Sequence, residues 1–402
     1  MTEANGDVTS YTYDNVYRLT DETKRDSQDN VLYRYQYTYD GVGNRLTETN
    51  TGEITYTHSL FAQGRLYDNN NKLTQLVAPG GTTTFGYDNN GNMTSMTQPG
   101  PVTTTYGYNY ENRLTGVTNP SYTAAYTYSP DGLRLRVQES NAQYTDRWMQ
   151  YDGVRPVLEG TLSGDTYTTT AKYVWEGESY YDSLMYSLIG GAWRYHLYDG
   201  LGSTRQLLQH SSPYNVTDTY QYEAFGNLLS STGTTANPYK HVGALGYYQT
   251  GSSLMHLGAR YYMPEIGRFL SQDPAGVEPD PYVYARDNPV IEIDPEGLKG
   301  TREHCEALLR AIRSALAQGG TTGCRTANDR LYDFAQQCSA FYPDLASEFS
   351  RLLDEYRHRC PPRPPKPSKP KPEPPRPGGG GGGRDLLHPE PIFGWPTGPP
   401  CE

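Results

Sequence analysis

Two aspartates that each precede a proline, Asp273 and Asp294, follow an arginine, Arg260, in a stretch that ends at Leu298. Two carboxylates held close cannot both ionise comfortably, so they share a proton and titrate as a pair. One is then a base toward water and the other an acid toward a scissile carbonyl. A nearby arginine orients one carboxylate or stabilises an oxyanion. Asp294 lies four residues before the Leu298–Lys299 bond. A turn at Glu296-Gly297 would bring that bond back to the aspartate at high effective molarity. In this reading the three residues form a single-turnover aspartyl self-cleavage centre. In the opposing reading both Asp-Pro pairs are turn formers and the arginine is their structural partner.

The elements that must hold these residues are β-strands. Among 402 residues, Gly (42) and Tyr (38) are abundant while Phe (8) and Met (7) are scarce. A core of this chain has to use tyrosine rings, whose hydroxyls need partners when buried. Tyr and Thr favour strands, and Gly, Asn and Asp favour turns. The pattern also repeats. Tyr11-Thr-Tyr-Asp14 runs to Arg18-Leu-Thr20, and Tyr37-Thr-Tyr-Asp40 to Arg45-Leu-Thr47. Phe85-Gly-Tyr87-Asp88, Tyr106-Gly-Tyr108-Asn109 and Tyr126-Thr-Tyr128-Ser129 are further copies. Y-x-Y puts two rings on one face of a strand, the polar cluster turns the chain, and the next residues begin the return strand. Each hairpin buries its tyrosine face only by stacking on neighbours.

These residues match the YD repeat, and residues 1–298 as a whole resemble the RHS-repeat family of bacterial Rhs proteins, toxin-complex C components and teneurins. Tyr198-Asp-Gly-Leu-Gly-Ser203 and Tyr222-Glu-Ala-Phe225-Gly226 resemble family segments. Arg260-Tyr261-Tyr262, Gly267-Arg268-Phe269, Asp273-Pro274 and Asp294-Pro295-Glu296-Gly297-Leu298 resemble its repeat-associated core. The resemblance implies a mainly β fold, a shell of YD-repeat hairpins. It divides the chain into a repeat sheet (1–189), an RHS-associated core (190–298), a small helical variable module (299–360) and a disordered Pro/Gly-rich tail (361–402). It also implies that the chain cuts itself after Leu298, before Lys299, with Arg260, Asp273 and Asp294 as the catalytic set. Arg268 sits in the same matched block and rivals Arg260. The implied partner is the chain's own C-terminal segment, carried as cargo. Family shells that enclose cargo are generally much longer, so a further N-terminal shell region or another shell protein is a second implied partner. The implied location is secreted or at the cell surface.

Past Leu298 the character changes. All five cysteines lie there, at 305, 324, 338, 360 and 401. Apolar residues at helical spacing place short helices over 303–318, 326–338 and 343–358. Pro361–Pro377 is a basic extended spacer, and Gly378–Gly383 a flexible run. The cysteines with His304, His358 and His388 lack the close pairs of a zinc site, and helix-stapling disulfides or buried thiols fit better. Asp88, Asn90 and Asn92 imitate the start of a calcium loop, but Pro99 occupies the place of the final acid, which leaves a polar hairpin turn. No metal or other cofactor is expected. A net charge of −11 argues against nucleic acid as a partner. No stretch reaches the roughly 20 apolar residues of a membrane span. Residues 1–25 show no secretory signal, and the repeat is already running at Tyr11. Three functions remain open: a self-cutting shell, a non-enzymatic surface or adhesion scaffold, and a polymorphic toxin with its activity in 299–402.

Overall fold

The computed structural model describes residues 6–51, 62–140, 145–177, 182–274, 279–298, 302–319, 324, 326–327, 330–331, 334 and 343–360. The chain divides into two compact units, Met1–Lys299 and Gly300–Glu402.

The first unit repeats one device. In β3 (Val31–Tyr39), exposed and buried positions alternate, and Tyr33, Tyr35 and Tyr37 face inward. Tyr122, Ala124 and Tyr126 do the same in β11 (Tyr122–Tyr128). A strand with one solvated face demands this alternation. The turn that follows is capped by its first residue. Asp14, Asp40, Asp68, Asp88 and Asn109 each accept the backbone N–H groups two and four residues on, at 2.8–3.0 Å. The position three residues on has positive φ, which is why it falls on Gly43, Gly91, Asn71 and Asn112. Tyr17 adopts the same conformation at φ 65° without that freedom. The Asp88 carboxylate is thus committed to its own turn, and its other oxygen accepts from Asn92 Nδ2 at 2.9 Å.

The tyrosine just before each turn ties one hairpin to the previous one. Its hydroxyl donates to a backbone carbonyl across the wall: Tyr39 to Leu19 at 2.7 Å, Tyr67 to Arg45 at 2.8 Å, Tyr108 to Met93 at 2.9 Å, and Tyr128 to Leu114 at 2.6 Å. Phenylalanine would supply the ring but not this bond.

Repeated in this way, strands β1 (Val8–Tyr13) to β20 (Leu228–Thr232) form one 20-stranded sheet in which each strand pairs antiparallel with the next. The sheet crosses position 189 unbroken, since β16 (Leu184–Ile189) pairs with β17 (Ala192–Tyr198). Its inner face packs on the chain's own later segment. Tyr261, Met263, Ile266 and Leu270 share a core with Leu73, Met93, Leu114 and Val137. Within that segment β21 (Tyr248–Gln249), β22 (Met255–Leu257), β23 (Arg260–Met263) and β24 (Arg268–Phe269) make a small antiparallel sheet. The start of the large sheet also meets the turn before its last strand. Glu22, on β2 (Leu19–Arg25), accepts the Ala224 N–H at 2.9 Å. Tyr37 packs edge-on against Phe225 at 5.3 Å.

In the second unit, α1 (Arg302–Gln318) and α2 (Pro343–Arg359) share a core of Leu309, Ile312, Leu316, Phe334 and Leu352. Proline at the first helical position suits α2, because that N–H lacks an intrahelical acceptor in any case. Cys324 and Cys360 form a disulfide, and Cys305 is disulfide-bonded as well. Most of the helix expected over 326–338, with Cys338, lies outside the described residues, as do 361–402. Among the described residues, no helix is long and apolar enough to cross a membrane.

Two outcomes follow from this construction. Asp88→Ala removes the acceptor of two turn N–H groups and should lower unfolding free energy by about 1–2 kcal/mol in urea titrations. Asn70→Ala, at an exposed turn position, should be near neutral. The second outcome concerns pH. Burial, reinforced by the neighbouring Glu223, pushes Glu22 up to about 8, and burial pushes Glu223 up to about 7. The folded state then holds these protons more tightly than the unfolded chain. Stability from the neutral carboxyls is present at acid pH and lost as pH rises through the folded values. Urea midpoints should therefore fall between about pH 5 and 8, and Glu22→Gln should flatten that slope.

Candidate functional site

Arg260 opens β23, directly after the two-residue turn Gly258-Ala259 that joins it to β22. The Ala259 N–H at the tip of this hairpin donates to the Glu296 carbonyl at 2.8 Å. That bond holds a turn running from Asp294 to Gly297, closed by Gly297 N–H to Asp294 carbonyl at 3.1 Å. Gly297 has φ 63°, and a Cβ there would stand 2.2 Å from the Leu257 carbonyl oxygen. Backbone conformation and space both require glycine here.

The structure brings Arg260, Asp273 and Asp294 together. One guanidinium nitrogen, Nη2 of Arg260, lies 3.1 Å from Oδ2 of Asp273 and 3.1 Å from Oδ2 of Asp294. Arg260 Nε donates to the Gly297 carbonyl, and Nη1 to the Pro281 carbonyl at 3.3 Å. The Asp273 N–H reaches the same Pro281 carbonyl at 2.8 Å. The Phe269 ring supports the guanidinium face, 3.6 Å from centroid to Cζ. The other oxygen of Asp294, Oδ1, accepts the Leu298 N–H at 3.0 Å. Arg260, Asp273 and Asp294 are all buried, and Leu298 is half-buried. Burial pulls Arg260 below its ordinary value, while Asp294 and Asp273 oppose that shift. Lys299, the residue after the expected cut, lies outside the described residues.

Arg268 is placed elsewhere. Both its terminal nitrogens grip Asp280, at 2.7 and 2.8 Å, and Nη2 also donates to the Asn71 carbonyl at 2.7 Å. The fork lies within the later segment, and the bond to Asn71 ties it to the wall. Two participants are absent from the sequence reading. Asp280 is a third Asp-Pro aspartate, and the shared dipeptide was its only signal. Tyr247 accepts the Asp294 N–H on its hydroxyl at 2.7 Å and is itself 3.1 Å from the Tyr284 hydroxyl. A contact across 47 positions leaves no local pattern.

Residues 67–103 match the RHS Repeat family. The tRNA nuclease WapA of Bacillus subtilis (strain 168) is 30% identical over 299 residues, covering 71% of this chain. The tRNA3(Ser)-specific nuclease WapA of Bacillus spizizenii is 29% identical over the same length. The chain belongs to the RHS-repeat family. This RHS-repeat chain spans only 12% of the length of either WapA protein. Toxin protein Tse5 of Pseudomonas aeruginosa is 46% identical over 54 residues, 13% of this chain and 4% of its own. The solved structure of TcdB2-TccC3 without its hypervariable C-terminal region aligns with 73% of this chain and 18% of that one. Its identity is 20% and its TM-score 0.41.

Gly297→Ala should cost more than about 2 kcal/mol of stability in urea titrations, because it adds a clash with backbone to an unfavourable φ. Glu296→Ala, which keeps the backbone bonds of the turn, should cost far less.

Proposed function

We propose that this RHS-repeat chain is a shell or scaffold that cuts itself once, after Leu298, and so separates or presents residues 299–402. The observation that carries this reading is the convergence of both carboxylates on one Arg260 nitrogen while Asp294 holds the Leu298 N–H. With Arg260 Nε on the Gly297 carbonyl, both sides of the Gly297–Leu298 peptide are fixed. The next carbonyl, that of Leu298, is the proposed point of attack. One guanidinium offsets one carboxylate, so a pair holding one proton makes the buried cluster neutral. The unprotonated member draws a proton from water as the water adds to the Leu298 carbonyl. The protonated member gives its proton to the departing Lys299 amine. The C–N bond breaks, a carboxylate forms on Leu298, and the site is spent.

The wider assignments belong to the same proposal. The division at 298/299, the C-terminal segment as cargo, and export or surface display follow family resemblance. A second reading places a toxin in 299–402. Its relatives favour it, since two are nucleases and one a toxin.

Intact-mass spectrometry under denaturing conditions tests the main reading. The native chain should appear as two pieces split at Leu298–Lys299, and Asp273→Asn and Asp294→Asn should each stay whole. A native chain that remains whole after folding would leave these residues as turn formers in a repeat scaffold. Growth arrest on expressing 299–402 alone would support the second reading.

A further inference from the structure

In several repeats, the residue opposite the turn tyrosine begins the return strand and faces the core. Leu19, Leu73, Met93 and Leu114 fill this place opposite Tyr13, Tyr67, Tyr87 and Tyr108. Two repeats put arginine there instead. Arg45, opposite Tyr39, meets Glu48 at 3.3 Å and the Ile266 carbonyl at 2.9 Å. Arg134, opposite Tyr128, is only 1% exposed and has no ion pair with any described carboxylate. Its Nη1 donates to the Tyr261 hydroxyl at 3.0 Å, and its guanidinium lies over the Tyr248 ring at 4.4 Å. Neutral hydroxyls and rings do not cancel its charge. Glu139 and Glu159, buried in the same wall, are both held by Arg147.

Beside Arg134 is a cavity of about 40 Å³, lined also by Arg155, Tyr151, Tyr239, Tyr248, and His256. No carboxylate lines it. Arg134 Nε and the Tyr239 hydroxyl are both buried and without a hydrogen-bond partner. Arg155 spends two of its nitrogens on the Leu245 and Asp182 carbonyls. Burial and the Arg134 charge both drive His256 toward its neutral form. An uncompensated buried cation is costly, and unsatisfied donors add to that cost. We propose that this cavity binds one small inorganic anion of the halide class, held by the Arg134 guanidinium and the Tyr239 hydroxyl. Its size excludes a ligand carrying more than a few atoms. Pro295 and Gly258 form part of the lining, so the ion lies behind the turn that carries Asp294. The site does not depend on self-cleavage, and it holds whether or not the chain cuts itself.

The test uses the full chain. Crystals soaked in sodium bromide should show an anomalous peak within hydrogen-bond distance of Arg134 Nε and the Tyr239 hydroxyl. The thermal midpoint should rise by about 2–4 °C in sodium chloride or bromide over sodium gluconate at equal ionic strength. Arg134→Leu restores the side chain that other repeats carry here and should abolish the halide-specific rise. A bromide soak with no peak in the cavity would overturn the proposal, because water would then suffice. An equal halide response in Arg134→Leu would overturn it too, by showing a general salt effect. If that variant fails to fold, the bromide peak in the native chain decides.

Discussion

A tyrosine hydroxyl taken out of water needs a hydrogen-bond partner, and the tyrosine that precedes several of the turns finds one on the neighbouring hairpin. The bonds from Tyr39, Tyr67, Tyr108 and Tyr128 to backbone carbonyls across the wall set how successive repeats stack. A wall of phenylalanines would bury the same rings without that hydrogen bond between neighbouring hairpins. These four rings carry a directional constraint at their far ends. Registry follows in the sheet, and the sheet then presents a shaped inner face to the chain's later segment.

That inner face is charged as well as aromatic, and the charges divide by what they meet. Arg268 pairs two-pronged with Asp280 inside the later segment, and its bond to the Asn71 carbonyl ties that segment to the wall. Arg45 and Arg65 both donate to the Ile266 carbonyl and both pair with Glu48. The Arg268–Asp280 pair is closed, whereas Arg45 and Arg65 share the one carboxylate of Glu48 and Arg65 Nε is buried without a hydrogen-bond partner. The Arg260 cluster differs, because two carboxylates meet one nitrogen and one of them reaches on to Leu298. Desolvated pairs lose heavily when one partner is removed. Arginine donors on backbone carbonyls therefore do the attaching, whereas an excess carboxyl suits proton transfer.

The repeat was legible because its physics is local. Y-x-Y gives alternation, an acid gives the cap, and glycine or asparagine gives positive φ three residues later. Copies without tyrosine at the first inward place, such as Arg65-Leu-Tyr67-Asp68 and Met149-Gln-Tyr151-Asp152, were harder to see, although they occupy the same strands. The clustering of Arg260 with Asp273 and Asp294 was reachable only through family resemblance, since their spacing in sequence does not dictate contact. Tyr247 and Asp280 escaped both routes. Glu22 was equally hidden, because nothing near it announces that Ala224, some two hundred residues away, will supply a donor.

Those distances along the chain also say what the site depends on. Asp294 needs Arg260 and Tyr247, and the turn that carries it needs the hairpin tip at Ala259. The hairpin in turn is packed by Tyr261 and Met263 against residues from Leu73 to Val137 of the wall. Each link closes a loop and costs chain entropy that the native contacts must offset together. The arrangement around Leu298 therefore depends on the packed wall. A chain still assembling its wall has the residues without the geometry, which ties any chemistry at Leu298 to completion of the sheet around it.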